Sequence, residues 1–194
     1  MTKLMQLIFF TRYLIQIKMI QLSKIKTDHK HYSFVEGLLE ASFPAEERRN
    51  ADLQRANTDG NPLFHCCLVE EDKRPVGLMT YWHFDTFIYI EHFAIDPKRR
   101  GYGTGTEALK AMLSQAELPV VLEVEIPLRV NDVPHRRIGF YKRIGFQLRK
   151  YDYKQPPYRW GDEWLPMKLM TYGELKTMDK AVKTIYREVY GVTP

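Results

Sequence analysis

The chain reads as an α/β protein of the α+β type, with a mixed, mostly antiparallel central sheet of about seven strands flanked by helices. Three observations point there. The segments 63–70, 75–84 and 86–95 are rich in Phe, Leu, Val, Tyr and Trp and follow one another through short polar turns, as an antiparallel meander does. Segments of helical period stand before and after that meander, so the chain does not open as a repeating βαβ unit. Its 194 residues suit one domain with a sizeable core, uninterrupted by internal repeats or low-complexity tracts.

Apolar residues roughly alternate over 20–25, which makes an opening strand; Tyr32, Val35, Leu39 and Ser42 then share one side of a helix that begins near Asp28. Phe43-Pro44 stops it, and Pro44-Ala45-Glu46-Glu47 carries proline and acids where the first turn of a short second helix favours them. The runs 63–70 and 75–84 form a hairpin around Glu71-Asp72-Lys73-Arg74, and 86–95 adds a third strand. Ala108, Leu109, Met112 and Leu113 recur at helical spacing behind Thr104-Gly105-Thr106-Glu107, a capping-box pattern that starts a helix at about Thr104. A strand over 120–126 follows, then a helix over 132–144 that Asp132 caps and Gly145 ends. Strands at 147–153 and 165–171 complete the sheet. From Glu174 onward, Leu175, Met178, Val182, Ile185 and Val189 make one face of an amphipathic helix that stops at Gly191 and docks either on its own domain or on a partner.

The chain thus divides into a loose N-terminal extension, 1–18, a main domain, 19–173, and a C-terminal helix and tail, 174–194. The opening apolar run has some look of a signal peptide, but Arg12 interrupts it, no small-residue cleavage site follows, and it is too short to span a bilayer. Met19 serves as a start, since MIQLSKIK reads directly as a strand. The net charge of +5 is scattered among acids, so no nucleic-acid or membrane partner is expected, and the charge suits the phosphates of a small cofactor. Cys66 and Cys67 are sequence neighbours with no metal-ligand spacing, so they are expected as reduced strand residues of a cytoplasmic protein that binds no metal.

Chemistry concentrates in Arg100-Gly101-Tyr102-Gly103-Thr104-Gly105. A strand, a glycine-rich turn and a capped helix build a phosphate cradle, because backbone N–H groups converge on the anion and the helix dipole favours it. Glycines at 101, 103 and 105 remove β-carbons that would hold a pyrophosphate away, and Arg99 and Arg100 add charge beside it. The spacing is not that of a Walker loop, whose lysine is missing.

At this point the chain resembles the GCN5-related N-acetyltransferase family, whose acetyl-CoA motif is Arg or Gln, two residues, Gly, one residue, then Gly or Ala. Arg100, Gly103 and Gly105 fill that motif. The resemblance extends through Tyr89-Ile90-Glu91-His92-Phe93-Ala94-Ile95-Asp96-Pro97 and the later Ile138-Gly139-Phe140-Tyr141-Lys142-Arg143-Ile144-Gly145-Phe146. It implies a sheet splayed between its fourth and fifth strands, with the pantetheine arm of acetyl-CoA in the gap against Phe93, Ala94 and Ile95. The pyrophosphate would lie on Arg100, Gly101, Tyr102, Gly103, Thr104, Gly105 and Thr106. Many members carry Asn seven residues before the tyrosine; here that position is Pro134, and Asn131 is out of register.

Acetyl transfer to an amine by direct attack in a ternary complex needs a neutral amine, a polarised carbonyl and a proton for the departing thiolate. The resemblance puts a backbone N–H near Phe93 on the carbonyl oxygen and makes Tyr141 the general acid. Glu91, in the strand leading to the thioester, is the first choice of base; Glu123 and Glu125 share one face of the neighbouring strand. These acids could instead face water or bind a cationic acceptor. His92 would point away from Glu91 in a regular strand. The acceptor is an amine of a small molecule or a protein, and the aromatic, proline-broken segment around Tyr151, Tyr153, Tyr158, Trp160 and Trp164 is a candidate wall for its pocket. That segment and the final helix are also candidate homodimer surfaces. A CoA-binding sensor or scaffold without catalysis is the alternative reading.

Overall fold

The computed structural model describes residues 19–193, so the extension expected at 1–18 lies outside the described residues. Strands β2 (Phe64–Glu71), β3 (Arg74–His83) and β4 (Ile88–Ile95) form the predicted antiparallel meander, and β1 (Ile20–Lys24) pairs antiparallel with β2 at its edge. Asp72 and Lys73 take positive φ, 50° and 64°, and close the β2–β3 hairpin as a two-residue turn whose twist matches its strands. β5 (Val120–Glu125) runs parallel to β4, β8 (Leu165–Tyr172) is antiparallel to β5, and β6 (Gln147–Leu148) and β7 (Tyr153–Gln155) both pair with β8. Among the described residues the sheet is therefore mixed and mostly antiparallel, with eight strands.

The extra strand arises because the predicted run 147–153 is broken. The Arg149 N–H still donates to the Leu169 carbonyl at 2.9 Å, but the chain then leaves the edge, and the Tyr151 hydroxyl donates to Asp179 at 2.7 Å.

Helices α1 (Tyr32–Ser42), α2 (Ala51–Gly60) and α5 (Met178–Tyr190) cover one face; α3 (Thr104–Ser114) and α4 (Val133–Ile144) cover the other. Strand alternation sets the two cores: Tyr89 and Val121 turn toward α1 and α5, Ile90 and Leu122 toward α3 and α4, all buried. The final helix docks on its own domain, burying Ala181, Val182, Ile185 and Val189 beside Tyr89, Val121 and Leu169. Its apolar face is thereby occupied, and of the two candidate dimer surfaces only the aromatic segment still presents large exposed side chains, Trp160 and Trp164.

Two helix starts differ from expectation, and a third, at Thr104 as expected, is capped differently. Turns at 26–32 delay α1 to Tyr32, whose N–H donates to the His29 carbonyl at 2.8 Å. After Pro44 the chain makes only one 3-10 turn, Ala45–Glu47, and α2 begins behind Asn50, whose side chain accepts from the Leu53 N–H at 2.8 Å. At α3 the capping box does not form: Gly103, at φ 82°, is the cap position and Thr104 is already helical.

Candidate functional site

β4 and β5 pair only through Ile88–Val120, Tyr89–Val121 and Ile90–Leu122. Beyond that point β4 follows β3 and β5 follows β8, so the sheet forks at the predicted place. A register slip marks the fork: Tyr81 faces Ile90 and Thr80 faces His92, leaving Glu91 as an unopposed extra residue in β4. The bulge overturns the expectation for His92. With the alternation broken, Glu91 and His92 turn to the same face, the Trp82 Nε1–H donating to Glu91 at 3.2 Å and His92 Nδ1 lying 3.1 Å from the Thr80 hydroxyl.

A cleft of about 870 Å³ opens at the fork. It brings together Phe93, Ala94, Ile95, Arg100, Gly101, Gly103, Gly105, Thr106 and Tyr141 from the predicted set, and adds Ala41, Ser42, Phe43, Val133, Arg136, Arg137 and Phe140. Tyr102, exposed, and Thr104, buried, are not among the lining side chains. Thr104 instead heads α3. The first helical bond there runs from the Glu107 N–H to the Gly103 carbonyl at 3.1 Å, which leaves the N–H groups of Thr104, Gly105 and Thr106 without helical partners.

The loop fits a phosphate group on observations of its own. Gly103 and Gly101 hold φ of 82° and 84°, and a β-carbon on either would meet nothing within 4 Å, so the space above them is open. The Thr104 hydroxyl is buried without a hydrogen-bond partner. The flanking arginines do less than expected: Arg99 is ion-paired with Glu71, and the Arg100 Nε–H donates to the Ile95 carbonyl at 2.8 Å, bracing the loop. The free charge comes rather from Arg136 on α4, which sequence reasoning missed, with Arg137 beside it. Arg137 stands one turn before Tyr141, a spacing that would have flagged it.

Tyr141 lies in the cleft wall with its ring edge-on to Phe140 and Phe146. Burial pushes its phenol up to about 12, with Arg137 pulling it down and Glu125 adding to the rise. The hydroxyl therefore carries its proton at any ordinary pH. Glu125 is itself paired with Arg137.

Glu91 does not suit the role of base. Its side chain is fully buried and receives both arms of the Arg49 guanidinium, at 2.6 and 2.9 Å, and the Tyr158 hydroxyl at 2.7 Å, besides Trp82. Burial alone would push its carboxyl up, but Arg49, then His92 and the Tyr158 hydroxyl, hold it below the usual carboxylate range. Its lone pairs are taken, and a depressed carboxylate is a poor proton acceptor. Glu123 is different: burial pushes it up to about 7, against hydrogen bonds from Tyr153, Tyr89 and Tyr190, with the Glu91 charge adding to the rise. His65 and His83 lie close together on β2 and β3, their rings 6.4 Å apart and not among the side chains lining the cleft; Asn131, at φ 67°, and Pro134 do not line it either. Among the described residues no group of three or more His, Cys, Asp or Glu side chains could hold a metal ion, and no helix is long and apolar enough to cross a membrane.

A forked sheet, an open glycine loop at its mouth and a protonated phenol in its wall make up the candidate site. The acetyltransferase (GNAT) family model matches residues 31–146, and the chain belongs to that family. A solved Bacteroides thetaiotaomicron protein described as a GNAT acetyltransferase is 42% identical, with a TM-score of 0.85 over 89% of this chain and 99% of that one. The peptidyl-lysine N-acetyltransferase YjaB of Escherichia coli is 32% identical over 99 residues, 50% of this chain and 57% of that protein. A GNAT acetyltransferase of Elizabethkingia anophelis with acetyl-CoA bound shares the fold at 16% identity, with a TM-score of 0.55 over 80% of this chain and 98% of that one. The chain spans about half the length of the curated relatives it matches first.

Proposed function

We propose that this protein is an N-acetyltransferase that moves an acetyl group from acetyl-CoA to a primary amine of a small molecule or protein by direct attack in a ternary complex. The observation that carries the reading is the single cleft joining the Gly101–Gly105 loop to the Tyr141 hydroxyl through the open edge of β4. Acetyl-CoA supplies an activated thioester. The loop N–H groups and Arg136 hold its phosphates, and the unpaired edge of β4 at residues 93–95 offers backbone groups to the arm and the carbonyl.

Tyr141 gives its proton to the departing sulfur; its phenol, raised by burial, holds that proton until the thiolate forms beside it. With Glu91 committed to Arg49, Glu123 is the acid at the fork able to take up or release a proton near neutrality. Cys66 and Cys67, buried, free and pushed up to about 12 by burial, suit a reducing, cytoplasmic setting.

Calorimetric titration with acetyl-CoA, with dephosphorylated and unrelated nucleotides as controls, tests the donor. Saturable binding that Gly103→Val removes, followed by thiol release in an amine screen, supports the enzyme. Binding without thiol release toward any amine would favour the sensor reading, and no binding would sink both.

A further inference from the structure

Two distant stretches of chain meet on the Glu91 carboxylate. Arg49, between the 3-10 turn and α2, forks onto it; Tyr158, in the 156–164 segment, donates to it from the other side. Arg49 also donates to the Val189 carbonyl in the last turn of α5 at 3.4 Å, and the Tyr158 ring packs 4.9 Å from Tyr190. The guanidinium lies 5.1 Å from the Tyr158 ring, so the two partners of Glu91 also hold each other.

This knot adjoins the reaction cleft. The His92 ring stands 4.6 Å from Phe43, which lines the cleft, and 6.4 Å from Tyr158. The His92 Nε2–H reaches the Glu47 carbonyl at 3.0 Å, tying the 43–50 stretch to the same strand. The 43–50 stretch and the 156–164 segment thus meet beside the fork on the face opposite α3 and α4, the side that the acetyltransferase reading leaves for the amine.

We propose that Glu91 is a positioning residue: it clamps the 43–50 stretch and the 156–164 segment together as the walls of the acceptor's path, and Tyr158 is the contact through which it sets acceptor specificity. The inference rests on the acetyltransferase reading of the cleft. Its physical basis is that a bidentate ion pair with a third, phenolic donor fixes both walls to within a hydrogen-bond length, at a place where a bulge has freed the carboxylate from the strand's alternation. Loss of the Tyr158 hydroxyl would release one wall while leaving the ion pair, the glycine loop and Tyr141 in place.

Tyr158→Phe separates the possibilities, since it deletes one oxygen and keeps the ring. Three quantities are measured: the acetyl-CoA affinity, the rate of tryptic cleavage after the exposed Arg159, and thiol-release kinetics with spermidine and poly-L-lysine as amine probes. The expected result is an acetyl-CoA affinity within about twofold of the parent and cleavage about tenfold faster at Arg159. For a probe that turns over, acceptor KM should rise about tenfold with kcat within about twofold. Cleavage at Arg159 no faster than in the parent overturns the clamp whether or not either probe reacts, as does a fall in kcat at unchanged KM. Failure of the parent itself to bind acetyl-CoA would instead sink the underlying reading of the cleft.

Discussion

The Arg49 guanidinium meets the Glu91 carboxylate with two contacts of 2.6 and 2.9 Å in a spot where both side chains are almost wholly buried. Such a pair is costly to break from one side, because the remaining charge stays buried and unpaired. Arg49→Met should lose about 3–5 kcal/mol of stability in denaturant unfolding. Glu91 is held below its ordinary pKa, so the pair's contribution is present above the unfolded carboxylate pKa and fades only as pH falls through the lower folded value. In the parent this contribution should therefore fade only in acid below pH about 4, whereas in Arg49→Met the buried, unpaired carboxyl protonates at higher pH and recovers part of the loss.

Glu123 should act with the opposite sign. Its folded pKa, raised from 4.5 to about 7 by burial against its tyrosine hydroxyls, means that the folded chain binds an extra proton between those values. That contribution is complete below the unfolded pKa and is lost as pH rises through about 7. Glu123→Gln should flatten this decline, which is of order 1–3 kcal/mol in the parent, in unfolding measured from pH 5 to 8. A parent whose stability does not fall across that range would contradict the assignment.

For Tyr141, deletion of the hydroxyl in Tyr141→Phe should leave acetyl-CoA binding intact and lower kcat about a hundredfold. Because burial places the phenol at about 12, the pH–rate profile of the parent should show no basic limb from this group up to about pH 10. A limb near pH 9 that disappears in the variant would mean a more exposed phenol than the one described.

At Gly77 a β-carbon would stand 2.6 Å from the Ala94 carbonyl oxygen and 2.8 Å from Ile95 Cδ1. Gly77→Ala should push β3 from β4 at the cleft wall, costing about 1–3 kcal/mol in thermal unfolding and weakening acetyl-CoA affinity along with it. Affinity unchanged at reduced stability would show that the strain relaxes away from the cleft.

Ile185, completely buried on α5, tests whether the last helix belongs to the core. Ile185→Ala should cost about 2–5 kcal/mol. A change under 1 kcal/mol would mean that α5 adds little to the folded domain.

Much of this was legible along the chain. The hairpin at Asp72-Lys73, the helix capped by Asp132 and ended by Gly145, and the glycine loop all announce themselves through residues a few positions apart, because turns, caps and backbone freedom at glycine are local properties. The family resemblance rested on those same local runs, and the cleft gathers Arg100, Gly103, Gly105 and Tyr141 from them.

What only the tertiary structure decided is which charges are free. Glu91 looks like a base in sequence because nothing near it in the chain is its partner; Arg49 lies 42 residues away, Tyr158 67, and the Val189 carbonyl bound by Arg49 140. The β4 bulge that turns Glu91 and His92 to one face follows from pairing with β3, not from any residue pattern within β4. Sequence by itself determined the elements, the glycine loop and the tyrosine. The fold decided that Arg99 and Glu91 are spent on ion pairs, that Glu123 is lifted toward neutrality, and that Arg136 faces the cleft, because burial and pairing depend on which distant segments the core brings together.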